Sequence, residues 1–270
     1  MIRKYLKLCL IKLVGIYSNC VYFLSRGRSK RLAGDFRLSE IPEKFPSLNS
    51  QYMHFHQKFW NTMPIWLKHH REYFKLEQRG FGEDAFHAMW HDILKEYRPR
   101  HLLEIGVYRG QVISLWALLA KHLDIVCDIH AISPFTSAGD DVSVYISNLD
   151  YYDDVHQNFS HFQLCMPHLH KGFSTDPEMI DVISSRKWDL IYIDGSHDYE
   201  VVKSDFQNCS KMLSKNGLIV LDDSAVGTAY KAPIYSSNGH PDPSRVAAEI
   251  DPAGFKEILS VGHNRVFKKI

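Results

Sequence analysis

The chain lacks a charge imbalance. Its 270 residues carry 32 Lys and Arg against 31 Asp and Glu, a formal net charge of +1, so no global field draws nucleic acid and any polyanion binding would have to be local. It also lacks paired cysteines: Cys9, Cys20, Cys127, Cys165 and Cys209 are odd in number and scattered, with no C-x-x-C. That argues against a disulfide framework or a zinc knuckle and points to a reducing cytoplasm. A G-x-G-x-x-G turn is missing, so a dinucleotide site is not expected. No apolar run is long enough for a clear spanning helix; Leu8 to Leu24 comes nearest, but is slightly short and weakened by Lys12, Gly15, Ser18 and Asn19. Nor is there a small-residue cleavage site, so a cleaved signal peptide is not expected.

What the N-terminus does have is a basic flank, with Lys4 and Lys7 before the apolar stretch and Arg26, Arg28, Lys30 and Arg31 after it. Two readings stand. Residues 1–31 form a helix lying in a membrane interface, held by apolar area and by attraction to anionic lipid at the inner face of a membrane. Alternatively the helix packs on its own domain or on a partner subunit, a homo-oligomer being left open. The expected organisation is an apolar and basic segment (1–34), a helical cap region (35–98) and an α/β domain (99–270). A hydrophobic fraction of 45% suffices to bury one ordinary domain core with extensions.

Between 35 and 98, FHQKFWNTMPIWLKHHREYFKLEQ reads as helix interrupted around Pro64, and GEDAFHAMWHDILKEYRP as a helix ending before Pro99. His87 and His91, four apart, are read as ordinary helix-face residues because no third metal ligand stands nearby. From residue 100, short apolar runs (HLLEIG, DIHAIS, MPHLHKG, WDLIYID, GLIVLDD) alternate with helical stretches, and FKEILSVG with HNRVFKKI forms a tight pair. The pattern predicts a Rossmann-like, doubly wound α/β sheet, mostly parallel, closed by an antiparallel β-hairpin. Ligands of such sheets bind beyond the carboxyl ends of the strands.

Glu104, Asp194, Asp222 and Asp223 would all lie at that edge. In E-I-G-V-Y-R-G, Gly106 and Gly110 let the backbone turn closely under a ligand, while Glu104 accepts hydrogen bonds at the strand end. Asp194, Asp222 and Asp223 converge from adjacent strands, and three anions together are costly without a counter-charge. A divalent cation resolves this, Mg2+ fitting a carboxylate set best; the bland alternative is that these residues only cap turns. Tyr199 and Lys203 resemble the pair of short-chain dehydrogenases, without the glycine fingerprint those enzymes carry, and are read as coincidence.

EIGVYRG, GFS, DLIYIDGSHDYE and NGLIVLDD, followed by the terminal hairpin, resemble the class I S-adenosylmethionine-dependent methyltransferases over residues 80–270, and within them the metal-dependent macrocin and mycinamicin-type sugar O-methyltransferases and cephalosporin-hydroxylase-like proteins. The resemblance implies a methyltransferase domain over 99–270, with S-adenosylmethionine held by Glu104, Gly106, Gly110, Ser133 and Ser174, and Mg2+ or another divalent cation held by Asp194, Asp222 and Asp223. Ser133 replaces the acidic residue that commonly binds the ribose. The resemblance also places a base histidine at the D-x-x-H spacing of His197. His197, with an ordinary pKa near 6.5, would take the acceptor proton; in the competing reading it is structural and Asp194 or a metal-bound hydroxide does so. The expected reaction is methyl transfer to a hydroxyl of a sugar, glycan or glycosylated metabolite, bordered by Tyr230, Lys231 and Tyr235. A catechol-type O-methyltransferase and a catalytically silent subunit are the alternatives.

Overall fold

The computed structural model describes residues 2–27, 30–140 and 142–270, without the side chains of residues 2–9, 11, 30 and 31. Of the basic flank, Arg28 and the side chains of Lys4, Lys7, Lys30 and Arg31 therefore lie outside the described residues. The helices are α1 (Ile2–Ser25), α2 (Ile41–Lys44), α3 (Leu48–Thr62), α4 (Ile65–Lys75), α5 (Asp84–Tyr97), α6 (Gln111–Leu123), α7 (Tyr151–His161), α8 (Pro177–Ser184), α9 (Tyr199–Met212) and α10 (Pro241–Ala248). The strands are β1 (His101–Ile105), β2 (Asp128–Ser133), β3 (His168–Lys171), β4 (Trp188–Ile193), β5 (Leu213–Leu221), β6 (Phe255–Val261) and β7 (Asn264–Lys269).

The sheet runs β3-β2-β1-β4-β5-β7-β6, its first five strands parallel and β7 antiparallel to both neighbours. Successive side chains of a strand face opposite sides, so the sheet divides two cores. Leu102, Leu190, Tyr192, Leu218 and Val220 meet Phe55, Phe59, Trp90 and Trp116 of α3, α5 and α6 on one face. Leu103, Ile105, Ile191, Ile193, Ile219 and Leu221 meet Ile183, Val202 and Val246 of α8, α9 and α10 on the other. The mostly parallel sheet with its antiparallel C-terminal strands is the Rossmann-like architecture read from the alternation. The strand order reverses between β1 and β4, where such folds open a crevice.

Local chemistry sets the helix ends. Pro64 caps α4 directly after α3, and α5 stops at a left-handed Arg98 before Pro99. Two helices fall in stretches where no element is expected from sequence. In α7 the Asp150 carboxylate accepts from the Asp153 amide at 3.0 Å, a capping signal that the polar run after it obscures. The other is α10, opened by Pro241.

Among the described side chains of α1, those of its last turn anchor it to the domain. Tyr22 donates its hydroxyl to Asp84, Ser25 Oγ lies 2.9 Å from His56 Nε2, and the Arg26 guanidinium sits 3.6 Å above the Trp60 ring. Before it, Leu10, Leu13, Ile16 and Tyr17 are more than 60% exposed. Among the described residues no helix is long and apolar enough to cross a membrane.

Candidate active site

The carboxyl edge of the sheet opens into a cavity of about 1240 Å³ lined by Glu104, Gly106, Ser133, Ser174, Asp194, His197, Asp222 and Asp223. Of the residues singled out from sequence, Gly110 is absent from this lining. It opens α6 with φ +81°, and a Cβ there would meet Val155 at 3.2 Å, so its conformation serves the helix start. Gly106 does line the cavity, but its reason for being glycine is internal. With φ +88°, a Cβ would stand 1.9 Å from the Asp194 carbonyl oxygen. The turn is bolted by Gly106 N–H to Ile132 O (2.9 Å) and Asp194 N–H to Ile105 O (2.8 Å). Tyr230 is a fully buried core residue and Lys231 is tied through its backbone to Asn49; of the three expected acceptor contacts, Tyr235 alone lines the cavity.

The three carboxylates do converge, but with histidines that sequence reasoning left out. His263, in the β6–β7 turn, places Nε2 3.4 Å from Asp222 Oδ1 and Nδ1 3.9 Å from Asp223 Oδ1. His240, just before α10, lies 3.9 Å from Asp223 Oδ2. The pairing Leu221↔Arg265 explains His263, since two residues beyond each partner bring Asp223 and His263 to one edge. A Ser224–Gly239 bridge and the His240 amide donating to Asp223 O (2.8 Å) fold the long loop after β5 back onto the site. A Cβ on Gly239 would meet the Asp223 backbone at 2.3 Å.

His197 is held at both nitrogens. Nδ1 lies 2.7 Å from Asp140 Oδ2, which also accepts from the His197 amide, and Nε2 lies 2.8 Å from Asp223 Oδ2. Burial opposes the charged ring, but the hydrogen bonds to Asp223 and Asp140 outweigh it and raise the pKa to about 9. This corrects the expectation of a neutral base near 6.5: between two carboxylates, the ring holds its proton at neutral pH. Burial, then Asp222, push Asp194 well above the ordinary carboxylate range. Burial also raises Asp222, against the opposing charge of His263. Asp223, despite burial, is lowered by His197 and His263. The carboxylates thus face the imidazoles of His197, His240 and His263 as well as one another.

The donor chemistry still fits a cation. Asp222 Oδ1 is buried without a hydrogen bond, and Asp222, Asp223 and His263 bring one ligand atom each within 4.8 Å of one another. Their mix of carboxylate oxygen and imidazole nitrogen suits Mn2+, Fe2+ or Zn2+ at least as well as Mg2+. Glu104 fits a ligand with donor groups: burial raises it well above the ordinary range, and its Oε2 is buried without a partner.

Behind Ser174, Asp205 of α9 is buried with both oxygens lacking hydrogen bonds, and burial raises its pKa to about 7. A carboxyl raised in the folded state lets the unfolded chain ionise first, so stability falls as pH rises from about 4 to 7 and stays reduced above, by on the order of 3–4 kcal/mol. Asp205→Asn should therefore gain stability relative to the natural chain at pH 8 but not at pH 4, read as urea midpoints. An equal difference at both pH values would contradict the burial account.

His87 and His91 share no site: His87 lies 3.1 Å from His70, and His91 2.9 Å from Asp92. Lys203 donates to Tyr199 at 3.0 Å, and neither lines the cavity.

Residues 103–224 match the family model described as a methyltransferase domain. The fold is similar to that of a putative caffeoyl-CoA O-methyltransferase from Staphylococcus aureus, with TM-score 0.55 and 14% identity over 82% of this chain and 99% of that one. It is also similar to an SAH-bound methyltransferase from Podospora anserina, with TM-score 0.53 and 15% identity over 77% and 88%. Curated relatives include an uncharacterized protein of Sinorhizobium fredii, 25% identical over 72% of this chain, and one of Acanthamoeba polyphaga mimivirus, 25% identical over 55%. The chain spans 18% of the length of the first and 64% of the second. The matched stretch runs from within β1 to the residue after the paired aspartates that follow β5.

Proposed function

We propose that the protein is an S-adenosylmethionine-dependent O-methyltransferase acting on a hydroxyl of a sugar or glycosylated acceptor with a divalent cation. The observation that carries this is the convergence of Asp194, Asp222, Asp223, His197, His240 and His263 on a cavity that also contains the Gly106 turn. At about 1240 Å³ the cavity exceeds the roughly 300–1,000 Å³ of a site for one drug-sized ligand, which favours a cofactor together with a sizeable acceptor over a small catechol.

S-adenosylmethionine would supply an activated methyl group, and a cation held by Asp222, Asp223 and His263, with Asp194 beside them, would make an acceptor hydroxyl more acidic. Glu104, with its unpartnered oxygen, would accept from a donor on the cofactor, and the Gly106 turn would bring backbone close to it. Ser133 and Ser174 also line the cavity, where their hydroxyls would bond polar parts of the ligand. Asp140 fixes the His197 ring from its Nδ1 side, so that Nε2 faces Asp223 and the cavity. His197 can take a proton from the acceptor only when Asp223 is engaged elsewhere; its Nε2 then faces the acceptor with an open lone pair. With the methyl group supplied by the bound cofactor, whose sulfur would keep the bonding electron pair, His197 would take the proton of the acceptor hydroxyl.

Residues 1–34 contain eight Lys and Arg and no Asp or Glu, and α1 exposes Leu10, Leu13, Ile16 and Tyr17. That combination suits the surface of an anionic membrane, and it lies beside the acceptor end, since Tyr22 packs on Tyr235 with ring centroids 5.2 Å apart. The test incubates the full chain, S-adenosylmethionine and Mg2+ or Mn2+ with free and lipid-linked oligosaccharides, the latter in anionic vesicles. A mass gain of one methylene on a saccharide, dependent on added metal, is the expected result. Gain on simple catechols alone would replace the acceptor class, and no binding of S-adenosylmethionine by calorimetry would remove the enzyme reading.

A further inference from the structure

At the opposite, amino edge of the sheet, β2 and β3 begin with a second group of ligating side chains. Asp128 Oδ1 lies 3.3 Å from His130 Nε2 and 3.3 Å from His168 Nε2, and the three ligand atoms all fall within 4.8 Å of one another. The strand pairing produces this arrangement. His130 is directly opposite His168, and Asp128, two residues before His130 on the same strand, faces the same side.

We propose that Asp128, His130 and His168 form a site for a divalent transition metal, Zn2+ by its ligand chemistry, separate from the catalytic edge. Metal–nitrogen and metal–oxygen bonds of about 2.0–2.1 Å in a tetrahedron set neighbouring ligand atoms about 3.3 Å apart, the spacing found on both sides of Asp128 Oδ1. His130 is 5% exposed, and its Nε2 is buried without a hydrogen bond despite its short distance to the carboxylate. A buried imidazole nitrogen with no hydrogen bond, aimed at a carboxylate and a second imidazole, is an available ligand atom. Its other nitrogen, Nδ1, lies 2.9 Å from His170 Nε2, so donating there leaves the lone pair on Nε2, as the outer partners of metal-bound histidines do.

Two surrounding features define the site further. Arg186 pairs with Asp128 Oδ2, which fixes the carboxylate and leaves Oδ1 for the metal, at the cost of a nearby positive charge. His168 is exposed, its side chain at 66%, so the fourth position opens to water. A metal here would clamp β3, a four-residue edge strand, to β2.

The experiment uses the full chain freed of metal and titrated with Zn2+ alone, followed by calorimetry and by thermal unfolding. Because the catalytic edge can also take zinc, Asp223→Asn is titrated in parallel. His168→Ala is the decisive variant, since an exposed side chain can be removed without emptying a core. It should lose one zinc equivalent, or weaken it by more than the about 10–100-fold typical of outer-partner changes, and should lose the part of the zinc-induced rise in unfolding temperature that Asp223→Asn retains. Asp223→Asn should keep that equivalent and its share of the thermal rise. His170→Ala should weaken the same equivalent by about 10–100-fold. Zinc binding and thermal gain in His168→Ala equal to those of the natural chain would overturn the proposal, as would the loss of every equivalent in Asp223→Asn.

Discussion

Asp223→Asn is expected to lower the turnover number for methyl transfer by about 10²–10³-fold or more, with S-adenosylmethionine affinity changing only a few-fold. Asp223 lies within 4 Å of three imidazoles, those of His197, His240 and His263, and is one of the carboxylates offered to a cation. The amide keeps the shape but removes the charge that holds the His197 proton. A second readout needs no acceptor. In metal-free protein the His197 ring, raised to about 9, should titrate lower in the variant, toward the ordinary value, with Asp140 still holding part of the increase. The sign follows for stability. A histidine raised in the folded state stabilises fully below its unfolded pKa of about 6.5, and that contribution is lost as pH rises through about 9; Asp223→Asn should flatten this decline. An unchanged His197 titration by NMR would show that the pairing does not exist in solution, and turnover near that of the natural chain would take Asp223 out of the machinery.

Gly106→Ala is expected to unfold the protein or destabilise it by on the order of 3–5 kcal/mol, at the upper end of single substitutions. Two penalties add at this residue. An L side chain is strained at φ +88°, and its Cβ would meet a backbone carbonyl at 1.9 Å, an atom that no rotamer change can move. The neighbouring bonds, Asp194 N–H to Ile105 O and Gly106 N–H to Ile132 O, tie β1 to both its partners, so relief would have to open the centre of the sheet. A urea midpoint within experimental error of the natural chain would refute the packing account. Loss of cofactor binding in this variant is therefore uninformative about the cofactor unless the variant is first shown to be folded.

The sheet was readable because its strands are short, apolar and punctuated, and because the antiparallel partner for β6 is almost adjacent in sequence. The acidic residues were readable for a related reason: Asp194, Asp222 and Asp223 directly follow apolar strands, so the topology alone delivers them to one edge. His240, His263 and Asp140 were not, since each sits in a loop and acquires meaning only through the neighbour it is folded against. His263 had a trace in the sequence, because an antiparallel strand beside β5 must begin at the edge where β5 ends. Asp140 had none: the distance from Asp140 to His197 is set by a loop with no periodic pattern. The pKa of His197 departs from its ordinary value for the same reason. A model-compound value applies to an isolated ring, and the two carboxylates that retune it come from distant segments.

The residues that line the carboxyl edge span Glu104 to His263, with β7 inserted between β5 and β6. Contacts of such long sequence separation form late, because chain entropy must be surrendered before they repay it. The edge is therefore expected to be complete only after the hairpin has docked beside β5. Substitutions in the hairpin far from any ligand would slow this last docking and register as lost activity at unchanged equilibrium stability. A mutational survey scored by product formation would then count folding kinetics as chemistry, and refolding time courses followed by the return of activity would tell the two apart.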